Sequence, residues 1–349
     1  MVSAPSTTGS PRIALAHTPT PIHRVDGALD AIGAGGRGIA LFVKRDDMTG
    51  GVEAGNKIRK LEYLVADAIE KKATVLITCG GIQSNHARAT AAVAARLGLR
   101  SVLLLRTTEP ELDLAKVPLS GNLFIDRLLG AEVRLITVAQ YRERNALMRN
   151  VAAELASAGE KPYVIPEGGS NGLGSLGYVE AMREIRAQLD AGAAGDTKSF
   201  DIIVHACGSG GTAAGVALGA ARYEVATRVA PMAVCDDRRT FEDVVLRIVE
   251  EARAIDSSLN GIAELTIDDR AKGPMYGVAS NEQKEAIVAV ARKSGLVLDP
   301  VYTGKAFYGL GMLAKEGALD DKRVLFLHTG GLPGLLAQAP DLDEAIRRS

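Results

Sequence analysis

The sequence predicts an α/β protein whose sheets are mainly parallel and carry helices on both faces. Short apolar runs alternate along the chain with longer stretches in which apolar residues recur at helical spacing. Glycine-rich turns follow several of these runs, and folds of this kind bind ligands beyond the carboxyl ends of their strands. At 349 residues the chain is long enough for two domains and a sizeable core.

Seven apolar runs are predicted as strands because each is short and is bounded by polar residues or glycine. In chain order they cover residues 74–78, 101–105, 132–136, 163–165, 201–205, 230–234 and 323–327. Nine stretches are predicted as helices, the first because Ile58, Leu61, Val65 and Ala68 fall on one face. They cover residues 57–71, 84–97, 122–129, 141–158, 174–189, 211–223, 239–251, 282–293 and 304–315.

Composition and charge exclude several classes of protein. The chain carries 41 Lys and Arg against 42 Asp and Glu, and it has no Trp, which argues against a nucleic-acid partner. No apolar run approaches the roughly 18 residues of a membrane span, and residues 1–24 lack the apolar segment of a secretory signal. Cys79, Cys207 and Cys235 form no Cys-x-x-Cys pair, so we expect a cytoplasmic protein with no metal site and no disulfide framework.

A lysine opens the first long helix, directly after a Gly-Asn turn. Lys57 there would face the positive end of the helix dipole, which lowers the pKa of an amine and favours the free base that Schiff-base chemistry requires. A charged run, Lys44-Arg45-Asp46-Asp47, precedes it. The alternative is that Lys57 is a solvated charge at the start of a helix.

Two further segments combine the end of a strand, glycines and the start of a helix. In the first, Gly80-Gly81 leads to Ser84 and Asn85, where free backbone N–H groups suit an anionic ligand such as a carboxylate. The alternative for this segment is a simple helix cap. In the second, residues 207–212 read CGSGGT, a run whose amides could converge on a phosphate. That loop also fits a loose dinucleotide fingerprint or a tight turn before a capped helix.

Residues 298–305 (LDPVYTGK) and 328–331 (HTGG) each end an apolar run with polar residues and glycine. Taken singly, each could be a strand-to-helix turn. By itself, His328 is more typical of a hydrogen-bonded core histidine than of a catalyst.

Taken together, the chain resembles the pyridoxal-phosphate (PLP) enzymes of fold type II. Within them it resembles the branch that holds D-cysteine desulfhydrase, 1-aminocyclopropane-1-carboxylate (ACC) deaminase and L-cysteate sulfo-lyase. The motifs that carry the resemblance are KRDD (44–47), GNKIRKLEYL (55–64), GGIQSNHARATAA (80–92), PEGGSNGLGSLGY (166–178), CGSGGTAAG (207–215), LDPVYTGKA (298–306) and FLHTGG (326–331). The resemblance implies a two-domain fold similar to the tryptophan synthase β subunit. A small α/β domain of residues 58–170 would be inserted in a large domain of residues 1–57 and 171–349, and the protein would be a homodimer.

The resemblance also implies that the cofactor is pyridoxal 5′-phosphate. Lys57 would form the Schiff base and move the substrate proton, and Asn85 would hydrogen-bond the phenolic oxygen of the cofactor. Lys60 would help to hold the phosphate. The loop that shares this role consists of Gly208, Ser209, Gly210, Gly211 and Thr212.

Around the substrate, the resemblance implies that Ser84 binds the carboxylate, that Tyr302 lies against the pyridine ring and that Tyr276 lies near the substrate. Thr303 and Thr329 stand where ACC deaminases carry Glu and Leu. A glutamate would keep the pyridine nitrogen protonated, which suits opening of a cyclopropane ring, whereas a neutral hydroxyl suits ordinary β-elimination.

The expected activity is therefore PLP-dependent β-elimination on a small amino acid, with D-cysteine giving pyruvate, ammonia and hydrogen sulfide. A thiol leaves readily because its pKa is only about 8.5. The alternatives are an L-cysteate sulfo-lyase, if Arg238 or Arg239 reaches the pocket, and then an ACC deaminase. From other classes, a dinucleotide-dependent oxidoreductase and a PLP-binding protein without turnover stay open.

Overall fold

The structure, a computed structural model, describes residues 9–108 and 111–348. The strands are β1 (Ile22–Arg24), β2 (Ala40–Lys44), β3 (Val75–Gly81), β4 (Arg100–Arg106), β5 (Glu132–Ile136), β6 (Pro162–Val164), β7 (Phe200–Cys207), β8 (Ala226–Ala233), β9 (Glu264–Leu265) and β10 (Arg323–Leu327). The helices are α1 (Gly27–Asp30), α2 (Asn56–Glu70), α3 (Asn85–Arg96), α4 (Gly121–Leu128), α5 (Val138–Arg142), α6 (Arg144–Ser157), α7 (Gly172–Asp190), α8 (Gly211–Arg222), α9 (Arg238–Ile255), α10 (Asn281–Ser294), α11 (Thr303–Lys315), α12 (Leu332–Ala337) and α13 (Ala339–Arg348).

The strands form two sheets. One has six strands in the order β1-β2-β10-β7-β8-β9, and the other has four in the order β5-β4-β3-β6. Every pair is parallel except β1 with β2 at one edge of the larger sheet. The fold class predicted from the sequence is confirmed.

Helices cover both faces of the larger sheet, which explains why its central strands read as continuous apolar runs. On one face, Ile202 and Val204 of β7 pack with Phe307 and Leu310 of α11. On the other face, residues of β7, β10, α7 and α8 form a second cluster around Ile203. Helices therefore cover both faces of this sheet.

All seven predicted strands and all nine predicted helical stretches are present, with ends that differ by up to four residues. One prediction was wrong in detail, because residues 141–158 form part of two helices. The chain breaks at Glu143, whose φ of −99° and ψ of 22° do not continue α5, and α6 begins at the next residue. Six short or terminal elements had no sequence prediction: β1, β2, β9, α1, α12 and α13.

The four strands of the smaller sheet lie within residues 75–164, and those of the larger sheet lie outside this range. This arrangement accords with a small domain of residues 58–170, although the domain boundaries stay a prediction. The helices of the described ranges include none with the length and apolar character needed to cross a membrane. Cys79, Cys207 and Cys235 are all free thiols.

The charged run 44–47 belongs to the scaffold. Lys44 and Asp46 are buried, and Arg59 of α2 pairs with Asp46 at 2.8 Å and with Glu184 of α7 at 2.9 Å. Lys44 also pairs with Glu184, at 2.5 Å. This ion network ties β2 and α2 to α7, and none of its members lines the cavity described next.

Candidate active site

A cavity of about 630 Å³ opens where strand ends of the two sheets meet. Gly81 ends β3, Arg106 ends β4 and Cys207 ends β7, and all three line it. Parallel sheets bring their carboxyl ends to a common edge, and ligands bind there. The glycine-rich turns singled out in the sequence therefore converge on one site.

Lys57 enters this cavity from the first turn of α2. Its Nζ donates to Oδ1 of Asn56 at 2.9 Å and lies 6.0 Å from the ring centroid of Tyr302. The pKa of Lys57 is lowered to about 8, chiefly by burial and next by the positive charge of Arg88. The sequence argument predicted the direction of this shift but attributed it to the helix dipole.

Ser84 and Asn85 line the cavity where α3 begins. Ser84 caps this helix, since its Oγ accepts from the N–H of Ala87 at 3.2 Å. The amide of Asn85 is oriented by Asn122, whose Nδ2 donates to Oδ1 of Asn85 at 3.1 Å. Because the oxygen of Asn85 accepts this bond, its NH₂ group is left to donate to a ligand.

The loop between β7 and α8 forms a cradle of backbone amides and hydroxyls. Gly208, Ser209, Gly210 and Thr212 line the cavity. Gly210 has a φ of +81°, and a Cβ built on it would lie 2.8 Å from Cγ1 of Val244. Only glycine fits there without strain, and α8 directs its first N–H groups into the same space. The cradle suits a phosphate group.

Lys60 and Gly211 lie behind this cradle and do not line the cavity. The Nζ of Lys60 donates to Oγ of Ser170 and to the carbonyl of Gly168, both at 3.1 Å. Ser170 Oγ in turn accepts from the N–H of Gly211 at 3.2 Å. Burial holds the pKa of Lys60 well below its usual range. Lys60 therefore supports the loop through Ser170.

Two tyrosines form another wall. Their hydroxyl oxygens are 2.8 Å apart, and the rings of Tyr276 and Tyr302 meet edge to face with centroids 6.2 Å apart. A Cβ built on Gly208 would lie 3.1 Å from the Tyr302 ring, so this ring borders the cradle. Burial raises the pKa of Tyr276 to about 12, which keeps its hydroxyl protonated.

Thr303 and Thr329 differ in their exposure to the cavity. Thr329 lines it, whereas Thr303 is fully buried and does not. The Oγ1 of Thr303 donates to Oδ1 of Asp299 at 2.7 Å and accepts from the N–H of the same residue at 2.8 Å. Both hydrogen-bonding roles of the Thr303 hydroxyl are thus used inside the protein.

A charged group occupies the end of the cavity formed by the smaller sheet. Oε1 of Glu167 accepts from the hydroxyl of Tyr141 at 2.5 Å, and Oε2 pairs with Nε of Arg144 at 2.7 Å. Arg106 lies between the rings of Tyr141 and Tyr276, with its Cζ 4.7 and 4.9 Å from their centroids. The sequence analysis assigned no role to Arg106, Tyr141, Arg144 or Glu167.

Three further residues considered in the sequence analysis, Arg238, Arg239 and His328, also lie outside the cavity wall. Arg238 and Arg239 are exposed at the start of α9, where Arg238 pairs with Glu242 at 2.6 Å, so neither reaches the site. His328 is buried with both ring nitrogens bonded, Nε2 to the carbonyl of Val297 at 2.9 Å and Nδ1 to the N–H of Gly330 at 3.2 Å. His328 is a structural histidine.

Most of the predicted site residues lie together. Those that line the cavity are Lys57, Ser84, Asn85, Gly208, Ser209, Gly210, Thr212, Tyr276, Tyr302 and Thr329. Sequence reasoning missed Asn56, Arg106, Asn122 and Ser170. Asn56 and Ser170 stand inside motifs that the sequence analysis quoted, and Arg106 directly follows the predicted strand of residues 101–105, but Asn122 gave no comparable signal.

Comparisons with known proteins agree with this geometry. The family described as "Pyridoxal-phosphate dependent enzyme" matches residues 13–330. The chain is 44% identical over 325 residues to an Arabidopsis thaliana protein named bifunctional D-cysteine desulfhydrase/1-aminocyclopropane-1-carboxylate deaminase, mitochondrial. That alignment covers 92% of this chain and 78% of the relative.

Solved structures share the fold. A structure described as an ACC deaminase homologue superposes with a TM-score of 0.83 at 37% identity, covering 97% of each chain. Threonine deaminase isoform 2 from Solanum lycopersicum superposes with a TM-score of 0.63 at 16% identity, covering 96% of this chain and 85% of that one. At 16% identity the second likeness supports the fold alone.

Proposed function

Because the chain belongs to the pyridoxal-phosphate dependent enzymes, in the branch of D-cysteine desulfhydrase and ACC deaminase, we propose that it eliminates the β-substituent of D-cysteine. The products are pyruvate, ammonia and hydrogen sulfide. The chain is a PLP-dependent lyase, so a dinucleotide-dependent oxidoreductase is excluded. The choice of substrate rests on the uncharged side chains of Thr329, which lines the cavity, and of Thr303, which is buried and does not line it.

The residues of the cavity fit the cofactor. The cradle of residues 208–212 leaves no space for a Cβ at Gly210 and offers backbone N–H groups with the hydroxyls of Ser209 and Thr212 to the phosphate. Lys57 is the amine that would carry it, and Asn85 presents a donor for its phenolic oxygen. The ring of Tyr302 would lie against the pyridine ring.

Bound pyridoxal phosphate supplies the electron sink for negative charge at the substrate α-carbon. Lys57 is the base that removes the α-proton, and its pKa, lowered from 10.5 to about 8, leaves a larger share of the amine unprotonated near neutral pH than an ordinary lysine has. Ser84 and the first N–H groups of α3 hold the substrate carboxylate. Gly80 makes this position of Ser84 possible, since a Cβ on Gly80 would lie 2.4 Å from Ser84 Oγ.

Tyr276 and Tyr302 are the donors next to the β-substituent. Both have a raised pKa because they are buried, so they keep their protons at neutral pH. Their hydroxyls are linked, which lets one tyrosine donate outward while it accepts from the other. We assign to this pair the donation of a hydrogen bond to the departing sulfur.

The lack of charge on Thr303 and Thr329 favours carbon–sulfur elimination over ACC deamination. Among the residues that line the cavity within the described ranges, the carboxylates are Glu167 and Asp236, and Glu167 is paired with Arg144. At the position where ACC deaminases carry Glu, Thr303 offers no charge to hold a proton on the pyridine nitrogen. Departure of a thiolate needs less electron withdrawal than opening of a cyclopropane ring.

A substrate panel tests this proposal. The purified holoenzyme is incubated with D-cysteine, L-cysteine, L-cysteate, 3-chloro-D-alanine, D-serine and ACC, and keto acid, sulfide and sulfite are measured. We expect pyruvate, ammonia and sulfide from D-cysteine. Vigorous release of 2-oxobutyrate from ACC would overturn the proposal, and sulfite from L-cysteate without sulfide from D-cysteine would assign the sulfo-lyase activity instead. Absence of turnover on the whole panel would favour a PLP-binding protein without this activity.

We also infer that two copies pair and that the protein is cytoplasmic. Helix α12 packs beside α4, and the two helices expose Phe124, Leu128, Leu332 and Leu336, of which Leu128 is 70% exposed. A second copy would cover this apolar surface. Three free thiols accord with a reducing compartment. A solution mass near twice 36.6 kDa would support the pair, and a mass near 36.6 kDa at micromolar concentration would contradict it.

A further inference from the structure

We propose that Arg106 forms the subsite for the β-substituent of the substrate, and that it selects amino acids whose β-substituent is anionic. The class comprises cysteine as its thiolate and alanines that carry a β-sulfonate or β-sulfinate group. This inference rests on the proposed function and adds the chemistry of the substrate side chain to it.

Arg106 is the cavity arginine that has no carboxylate partner among residues 9–108 and 111–348. Three arginines line the cavity: Arg106, Arg144 and Arg247. Arg144 pairs with Glu167 at 2.7 Å, and Arg247 pairs with Glu251 at 2.6 Å. Arg106 is half-buried and is held by two aromatic rings. Its positive charge is therefore available to a ligand in the cavity.

The contacts of Arg106 with two aromatic rings leave the N–H groups of its guanidinium free to bind a ligand. The rings of Tyr141 and Tyr276 lie 4.7 and 4.9 Å from its Cζ and stabilise the cation through their faces. Among residues 9–108 and 111–348, no hydrogen-bond acceptor or carboxylate holds this guanidinium besides the two rings, so its N–H donors stay available to a ligand. A planar fork of donors matches two oxygens of a sulfonate or sulfinate, or a single thiolate.

Arg106 is also connected to the residues that surround the reacting carbon atoms. Tyr276, which stacks on Arg106, is bonded through its hydroxyl to Tyr302, and the ring of Tyr302 lies 6.0 Å from Nζ of Lys57. Ser84 lines the same cavity at the start of α3, just after the neighbouring strand β3, and there it would take the substrate carboxylate. A substrate bound by its carboxylate at Ser84 would point its β-substituent at the tyrosine pair and Arg106.

The test measures binding rather than turnover. The affinity of the holoenzyme for 3-sulfopropanoate is compared by calorimetry with its affinity for butanoate. Both probes have a carboxylate and neither has an amine, so they differ in the charged group at the far end. We expect the wild type to favour 3-sulfopropanoate, and Arg106→Met to reduce this preference roughly 10- to 100-fold, the usual effect of losing charge-assisted hydrogen bonds. Arg106→Lys should retain part of it.

Arg247→Met is the matched control, because it removes a paired and exposed arginine from the rim of the same cavity. The preference of Arg247→Met for 3-sulfopropanoate over butanoate should equal that of the wild type. An unchanged preference in Arg106→Met, or an equal loss in Arg247→Met, would overturn the subsite. The outcome is independent of the proposed function, since a wild type that releases no sulfide from D-cysteine can still show an Arg106-dependent preference for the sulfonate.

Discussion

The side-chain oxygen of Asn56 accepts a hydrogen bond from Nζ of Lys57 at 2.9 Å. The same amide donates from Nδ2 to Oγ1 of Thr212 at 3.0 Å, at the edge of the phosphate cradle. One side chain at the start of α2 thus connects the reactive amine to the loop before α8. Asn56 is neutral, so it orients the amine without adding the attraction of a negative charge, and the pKa of Lys57 remains lowered by burial.

The first prediction is that Asn56→Asp moves the pH at which the cofactor-free enzyme captures PLP. The neutral amine of Lys57 is present above its pKa of about 8, so the capture rate of the wild type should rise with a midpoint near pH 8. A carboxylate beside Nζ favours the ammonium form and should shift that midpoint upward, toward 10.5. The rate is followed by absorbance as a function of pH. Asn56→Ala is the control, and identical midpoints for the wild type and Asn56→Asp would contradict the argument.

The second prediction is that Lys57 alone carries the cofactor. Lys60 is bonded to Ser170 and Gly168, and Lys305 donates to the carbonyls of Val234, Lys272 and Met275, so neither amine is free. After borohydride reduction and digestion, mass mapping should find the pyridoxyl group on Lys57. Lys57→Ala should abolish turnover. Modification of Lys60 or Lys305 in the wild type would refute the assignment.

The third prediction concerns the cradle. Gly210→Val places a side chain 2.8 Å or less from Val244 at a φ of +81°, which should displace the loop and weaken PLP binding at least about tenfold. Gly98→Val is the matched control, because Gly98 also has a positive φ, +69°, but a Cβ there meets nothing within 4 Å. Both variants carry backbone strain, and only the first touches the loop. Equal PLP affinity in the two variants would make residues 208–212 a structural turn.

The fourth prediction is that Thr303→Glu combined with Thr329→Leu depresses release of sulfide from D-cysteine and reveals some turnover of ACC. The glutamate would hold a proton on the pyridine nitrogen, and the leucine removes a hydroxyl from the cavity wall. Thr303→Val with Thr329→Leu is the control, since it also breaks the bond from Thr303 to Asp299 but adds no charge. Release of 2-oxobutyrate should appear in the first variant and stay absent from the control. The prediction fails if the two variants behave alike.

The sequence predicted the parts of the site that depend on the local backbone. Strand ends followed by glycine and a helix start are visible as a pattern, and Ser84, Asn85 and Gly210, which stand in such segments, line the cavity. The direction of the Lys57 pKa shift was also predictable. Its main cause was not, because burial depends on which elements pack around α2.

Contacts between segments distant in the chain could not be predicted. Arg106 and Tyr276 are 170 positions apart, and nothing in either segment shows that a ring from one stacks on a cation from the other. Thr303 shows a different limit. Its sequence position suggested a contact with the cofactor, whereas its hydroxyl is bonded to Asp299, only four positions earlier in the chain.

The buried face of α4 contains a carboxyl group that lacks a hydrogen-bond partner among the described residues. Asp126 is fully buried, and neither of its oxygens has a hydrogen-bond partner in the part of the chain that the structure describes. Burial raises its pKa to about 8, and the positive charge of the buried Arg88 only partly opposes this. Arg88 itself donates to the carbonyls of Val52 and Ala54, just before Lys57.

The fifth prediction is that Asp126→Asn changes the dependence of stability on pH. The folded-state pKa of Asp126 is raised from 3.8 to about 8, so its contribution to stability is fully present below pH 4 and is lost as pH rises through 8. Asparagine has nearly the same shape and no titrating proton. The melting temperature of Asp126→Asn minus that of the wild type should therefore increase between pH 5 and pH 9, by roughly 1–2 °C for each kcal/mol of desolvation cost that the asparagine avoids in a chain of this length. Thermal melts with bound PLP at both pH values measure it, with Asp113→Asn, an exposed site, as the control. A constant difference across this range would show that Asp126 keeps the same protonation state in the folded and unfolded chains.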